Sequence, residues 1–280
     1  SQIIQKIVEE TGKENKLIVI SAMGKTTNAL ELVVKDYLET TKIPSSLEDV
    51  KNYHRNIMEA LFPNKEASVY FKVASLFSEL ENFLQHNKSN RYDFVYDQIV
   101  SFGELVSTTI VSEYLNSQTI STNWLDARNF IKTDSTYRDA KVNWSKTQEL
   151  VQENIDPKKL NIIQGFIASD PNNFTTTLGR EGSDYSAAIM AYCLNAENVT
   201  IWKDVPGVLA IITSSLNEEG ISIETILQIP EDRKQSLKQE VPIIITTHKT
   251  TFNLLTKALN KIENLDFVVS KIVVINIDKT

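Results

Sequence analysis

Three short apolar runs constrain this chain more than any other feature. Leu17–Ile20 (LIVI), Asn161–Ile167 (NIIQGFI) and Val199–Trp202 (VTIW) are each bounded by polar turn residues and separated by stretches of helical period. Runs this short read as strands buried on both faces. Strands that alternate with helices imply an α/β chain whose mainly parallel sheet is covered by helices on both sides. Ile3, Ile4, Ile7 and Val8 share one helical face ahead of a Gly12 stop. The pattern is helical again from Ala29 to about Leu84, with breaks at Pro44-Ser45-Ser46 and Pro63-Asn64. Asp93–Val106, Ser145–Asn154 and Ser186–Leu194 carry the same period, and Trp124–Ala127 reads as the end of a strand.

After about Gly207 the grammar changes. Leu209–Leu216 reads as a helix, Gly220–Ile229 and Val241–Thr247 as strands, Phe252–Ile262 as a helix and Lys271–Ile277 as a last strand. With VTIW as the first strand, this is a βαββαβ, ferredoxin-like unit. The expected division is therefore into residues 1–208 and 209–280.

Composition narrows the function classes. Lys plus Arg is 29 and Asp plus Glu is 36, a formal charge of −7. That balance argues against nucleic acid and anionic membranes as partners, because both need positive surface. A single cysteine, Cys193, excludes an internal disulfide and a cysteine-built zinc site, and suits a reducing cytoplasm. Three scattered histidines (His54, His86, His248) point to no protein-built metal site. No apolar run approaches the roughly 20 residues that span a bilayer, and the polar, amphipathic start does not read as a signal peptide. Eight glycines, about 3% of the chain against an average near 7%, are few for an α/β protein that handles phosphates.

Four clusters could carry chemistry. Gly24–Thr27 (GKTT) looks like a P-loop, but Val19 stands where the motif needs a glycine. What remains is a polar loop at a strand's carboxyl end, read equally well as a ligand loop or as an ordinary turn. Thr175–Asp184 (TTTLGREGSD) crowds hydroxyls, glycines, an arginine and an acid before a helix. Ser183 or Asp184 could simply cap that helix. Arg180 and the threonine run do not follow from capping and favour an anion site. Glu104, in SFGE, lies among Phe102, Leu105 and Val106, either in a polar pocket or on a solvated face. Lys203 and Asp204 close the last run, either at a pocket edge or at a plain strand exit. These residues suggest an anionic small molecule and name no acid/base pair.

Taken together, VISAMGKTTNALE, YDQIVSFGELVST, WLDARNFIKTD and IIQGFIASDPNNFTTTLGREGSDYSAAIMAYCLNAENVTIWKDVPGV resemble aspartate kinase over roughly residues 1–208. The resemblance implies the amino-acid kinase fold, an α/β/α sandwich, and ATP-dependent phosphorylation of the side-chain carboxylate of L-aspartate. By motif, Ser21 and Thr27 line the aspartate pocket and Glu104 faces the substrate ammonium. Arg180 and Ser183, with Glu181 and Gly182 between them, hold a substrate carboxylate. Asp184 takes the catalytic place, and Lys203 and Asp204 sit by the nucleotide, whose phosphates bring Mg²⁺. The sequence departs from the family where it lacks the opening Lys-Phe-Gly-Gly motif and the Asp-Pro-Arg segment after DVPG. Its tail resembles the ACT regulatory domain of homoserine dehydrogenase, which implies a lysine or threonine effector and a homodimer or larger assembly. The expectation is that segments of a longer chain are omitted, since a sheet without its outer strands would expose its edges. A true fusion, able to bind amino acids without transferring phosphate, is the alternative.

Overall fold

The structure, a computed structural model, describes Val8, Gly12, residues 14–179, 181–201, 207–228, 243–265, Val268 and residues 272–275. The chain divides into two compact units, Ser1–Ile201 and Trp202–Thr280.

In the first unit, β1 (Lys16–Ile20) and β2 (Thr122–Leu125) both pair in parallel with β3 (Leu160–Gln164), giving the strand order β1-β3-β2. β3 is buried along its whole length, as befits the central strand, and its two polar residues, Asn161 and Gln164, are buried with it. Between β1 and β2 run α1 (Thr26–Thr40), α2 (Ser46–Leu61), α3 (Ser68–His86), α4 (Tyr92–Val100) and α5 (Phe102–Ser117). The breaks fall at the expected prolines. The division at Ser101 between α4 and α5 was not foreseen, because Ser101 itself keeps right-handed helical angles. A short α6 (Ala127–Phe130) and α7 (Trp144–Asn154) follow β2. Asp126 caps α6 by accepting the Arg128 N–H at 3.0 Å, and Asn143 caps α7 by accepting the Lys146 N–H at 3.1 Å.

The apolar run at 161–167 is not one strand. It breaks after Gln164, where Phe166 takes a φ of +68°, and resumes as β4 (Ile167–Ser169), which pairs antiparallel with β5 (Thr175–Thr177). The threonines read as loop thus form a strand, and α8 (Gly182–Leu194) comes next. Leu30, Val33, Leu80, Ile99, Leu105 and Ile163 lie in the main core, while Val8, Val111, Leu115, Leu160 and Ile162 form a second cluster.

The strand expected at Val199–Trp202 is not formed over its described residues. Val199 and Ile201 are exposed and belong to no ladder, and an unpaired strand has nothing to hold it extended. Trp202 lies outside the described residues.

The second unit has α9 (Gly207–Glu218), β6 (Ile223–Gln228), β7 (Ile243–Thr247) and α10 (Phe252–Glu263), with β6 and β7 antiparallel. Ile212, Leu216, Ile221, Ala258 and Ile262 are its core. This is the αββα centre of the expected βαββαβ order. Residues 272–275 show no strand, and Val273 and Ile275 are exposed.

Candidate active site

The described site residues gather at the carboxyl ends of β1 and β3. The chain leaves β1 at Ile20, crosses the loop Ser21–Lys25 and starts α1 at Thr26, whose hydroxyl donates to the Met23 carbonyl at 2.6 Å. The first turn of α5 lies directly on this loop, and Gly103 makes that approach possible. A Cβ there would stand 3.0 Å from the Ala22 Cβ and 3.3 Å from the Thr26 Cγ2. The Ser107 hydroxyl donates to the Ser21 carbonyl at 2.7 Å and pins the same turn.

Glu104 is held between them, 3% exposed. Its Oε1 accepts the Ala22 N–H at 3.3 Å, while Oε2 is the one buried side-chain polar atom without a partner among the described residues. Burial pushes its pKa up to about 8, and the backbone bonds that favour the anion do not offset this. At neutral pH the carboxyl therefore holds a proton. A cation placed against Oε2 would draw that proton off and pair with the charge left behind.

The next residue inward, Thr108, is a hub. Its hydroxyl donates to the Glu104 carbonyl at 2.9 Å and accepts from Trp124 Nε1 at 3.0 Å and Gln164 Nε2 at 2.7 Å. Gln164 Oε1 accepts the Ala127 N–H at 2.8 Å. The Glu104 turn is thereby fastened to the ends of both β2 and β3. Behind the loop, His54 Nδ1 donates to the Val50 carbonyl at 2.8 Å. Burial lowers the pKa of this ring, so it stays neutral.

The second arm is the start of α8. Gly165 donates its N–H to Ile20 at 2.9 Å, and a Cβ on it would lie 2.6 Å from the Ser183 Cβ and 2.8 Å from its Cα. The first turn of α8 therefore sits on the end of β3. Phe166 donates its N–H to the Ser186 hydroxyl at 2.8 Å, which locks that contact. The start of this 13-residue helix, where the Gly182 N–H is bonded to the Gly179 carbonyl at 3.1 Å, makes a positive end at the sheet edge.

The structure thus brings Ser21, Glu104, Gly182, Ser183 and Asp184 to one edge of the sheet, with Thr27 half-buried in the first turn of α1. Neither Ser183 nor Asp184 caps α8. The cap position is Glu181, exposed and at φ +57°, and it makes no side-chain cap bond. Arg180, Lys203 and Asp204 lie outside the described residues.

Sequence reasoning missed a second buried carboxylate, Asp97 on α4. It accepts the Arg138 N–H at 3.0 and 3.2 Å, the Thr177 N–H at 2.8 Å and the Thr177 hydroxyl at 2.7 Å. Burial raises its pKa to about 6, against these bonds and the Arg138 charge, which favour the anion. Its neighbour Gln98 completes the edge of β5, donating to the Thr175 carbonyl at 2.7 Å and accepting the Thr175 N–H at 3.2 Å. One signal was available. That signal was weak, since Phe94, Val95, Ile99 and Val100 surround Asp97 but Asp93 and Ser101, four residues to either side, share its helical face and read as a solvated stripe.

Residues 1–218 match the model of the amino acid kinase family. The chain is 32% identical over 209 residues to a bifunctional aspartokinase/homoserine dehydrogenase 2 of Escherichia coli, covering 72% of this chain and 25% of that one. It is 27% identical over 266 residues to the lysine-sensitive aspartokinase 3 of the same organism, covering 89% of this chain and 58% of that one. A crystal structure of E. coli aspartokinase III with lysine and aspartate superposes with a TM-score of 0.62 at 29% identity, over 72% of this chain and 45% of the other. A second aspartokinase III structure, at 21% identity and a TM-score of 0.59, shares the fold. The chain spans a quarter to about three fifths of the length of these curated relatives. With the family match covering more than three quarters of its residues, the chain belongs to the amino acid kinase family.

Proposed function

We propose that this chain carries the aspartate site of an aspartate kinase, which transfers the γ-phosphoryl group of ATP to the side-chain carboxylate of L-aspartate. The observation that carries the reading is Glu104, a buried carboxyl with one unpaired oxygen at the carboxyl edge of a parallel sheet, where open α/β sheets bind ligands. Relatives named as aspartokinases support it, as does a similar structure that holds aspartate.

Aspartate has two carboxylates and one ammonium. Glu104 takes the ammonium, and the positive end of α8 with Ser183 and Arg180 takes a carboxylate. The side-chain carboxylate is already ionised at neutral pH, so no general base is needed. Its oxygen forms the new bond to phosphorus, the bond from phosphorus to ADP breaks, and the product is 4-phospho-L-aspartate. The protein's work is positioning and charge neutralisation. Asp184 stands at the reacting group, with Ser21 and Thr27 along the pocket, and Lys203 and Asp204 belong to the nucleotide side.

Among the described residues no three His, Cys, Asp or Glu side chains gather as a metal cage. Mg²⁺ would arrive on the nucleotide phosphates, with most of its ligands from phosphate and water. When bound, ATP supplies the phosphoryl group and Mg²⁺ neutralises it.

Residues 209–280 are proposed as an ACT-type unit that binds lysine or threonine and pairs with a second copy. The proposed location is the cytoplasm. Among the described residues no helix is long and apolar enough to cross a membrane.

The test is calorimetric titration with L-aspartate, followed by a hydroxamate assay with ATP and Mg²⁺. Binding and turnover are expected. The absence of both binding and turnover overturns the reading, and binding without turnover replaces it with an amino-acid-binding protein that does not transfer phosphate.

A further inference from the structure

Two chain segments far apart in sequence meet at Gly179, the residue before Arg180. One is β5, which leads into it through Thr177 and Leu178. The other is Arg138–Ala140, from the loop ahead of α7. Gly179 has a φ of +79°, and a Cβ on it would lie 2.9 Å from Asp139 Oδ1 and 3.3 Å from the Arg138 carbonyl oxygen. The backbone angle therefore calls for glycine, while the exposed Asp139 carboxylate could swing away from an added methyl. The Ala140 N–H donates to the Thr177 carbonyl at 3.0 Å, and the Leu178 N–H donates to the Phe166 carbonyl at 2.9 Å.

Among the described residues, the side chain that bonds to both segments is Asp97. It is fully buried, and its two oxygens accept from the Arg138 backbone, the Thr177 backbone and the Thr177 hydroxyl. Arg138 has a φ of +67°, a conformation that costs energy outside glycine and persists where surrounding contacts impose it. Its guanidinium lies over the Tyr96 ring, 4.6 Å from the centroid, so the same loop is gripped on its outer side by the residue preceding Asp97.

We propose that Asp97 is a positioning residue for the ligand loop that runs from Gly179 to Ser183, because its carboxylate ties the Arg138 and Thr177 backbones together and so fixes the point from which the loop departs. The far end is fixed separately, by Ser183 against Gly165. Asp97 touches no ligand in this account. It sets where the loop begins, and through it the placement of the carboxylate clamp. The functional half of the inference rests on the aspartate reading above, and the structural half does not.

Asp97→Asn tests it with little change in volume. The amide turns a donor toward groups that are themselves donors, so the clamp loses at least one bond. Thr177→Val removes the hydroxyl bond alone, and Thr177→Ser restores it. Amide hydrogen exchange on the ligand-free chain should speed up about tenfold over residues 175–182 in Asp97→Asn, with β1 and β3 unchanged. The Kd for aspartate should rise about tenfold in Asp97→Asn and about threefold in Thr177→Val, and return close to the starting value in Thr177→Ser.

Exchange that accelerates evenly along the whole chain would show a general structural role and overturn the proposal. So would faster exchange over 175–182 with an unchanged Kd. If the unaltered chain binds no aspartate, the aspartate reading fails, and the exchange pattern alone then decides whether the clamp exists.

Discussion

Two carboxyl groups seven positions apart, Asp97 on α4 and Glu104 on α5, are buried to a similar degree and bonded in opposite ways. Asp97 accepts from two backbone N–H groups and a hydroxyl. Glu104 has one long bond from Ala22 and an oxygen with no partner. Burial raises the pKa of both, to about 6 for Asp97 and about 8 for Glu104. The bonded group stays closer to the ordinary carboxylate range because N–H and O–H donors stabilise its anion. The contrast separates two uses of a buried acid. A fully bonded carboxylate holds loops together, and a half-bonded one is kept for a ligand that brings the missing charge.

The largest effect that would test this contrast is on stability at Asp97. Asp97→Ala leaves the Arg138 and Thr177 donors unpaired in a sealed site and is expected to cost about 3 kcal/mol. Denaturant unfolding measures it, and a loss under 1 kcal/mol would mean that the bonds contribute little.

Glu104→Gln should do the reverse. It removes a buried ionisable group whose charge has no partner, so the free chain should gain stability at pH 8 while aspartate affinity falls by about 100-fold. The pH dependence follows from the sign of the shift. The folded pKa lies above the unfolded one, so stability from the protonated group is full below about pH 4.5 and is lost as pH rises through about 8. The gap between Glu104→Gln and the unaltered chain should therefore widen from pH 5 to pH 8 and then level off. Asp97 acts in the same direction over a lower window, from about pH 4 to about pH 6. Thermal scans across pH would contradict this if the two chains ran parallel.

Gly165→Ala should cost about 2 kcal/mol, because its methyl would run into the Ser183 backbone where the two arms of the site meet. Aspartate binding should weaken with it. If affinity holds while stability falls, the arms need not touch for the site to work.

Ser107→Ala gives the smallest change. One bond to the Ser21 carbonyl is lost, worth about 1 kcal/mol, with affinity falling less than tenfold. A larger loss in affinity than at Gly165 would move the weight of the site onto the β1 loop.

The strands β1 and β3, the helices between prolines and the helix face at Phe252–Ile262 were legible from local periodicity, although of the two strands β3 is fully buried and β1 only half-buried. β5 was not. Its three threonines look like a ligand loop, and they form a strand because Asp97 and Gln98 of α4 close one edge and β4 the other. The VTIW run shows the opposite failure, since apolar residues alone do not make a strand without a neighbour to pair with.

Ser21, Thr27 and Glu104 were picked out by motif, and nothing in local pattern could tell a buried Glu104 from a solvated one. The sequence by itself determined the main helices, the strands β1 and β3 and the parallel character of their sheet, because those follow from the spacing of apolar residues along a single element. Only the tertiary structure decided which carboxylate is bonded and which is left with an open oxygen. Hydrogen-bond partners 41, 80 and 82 residues away in the chain are set by how the elements pack, and no local pattern encodes them.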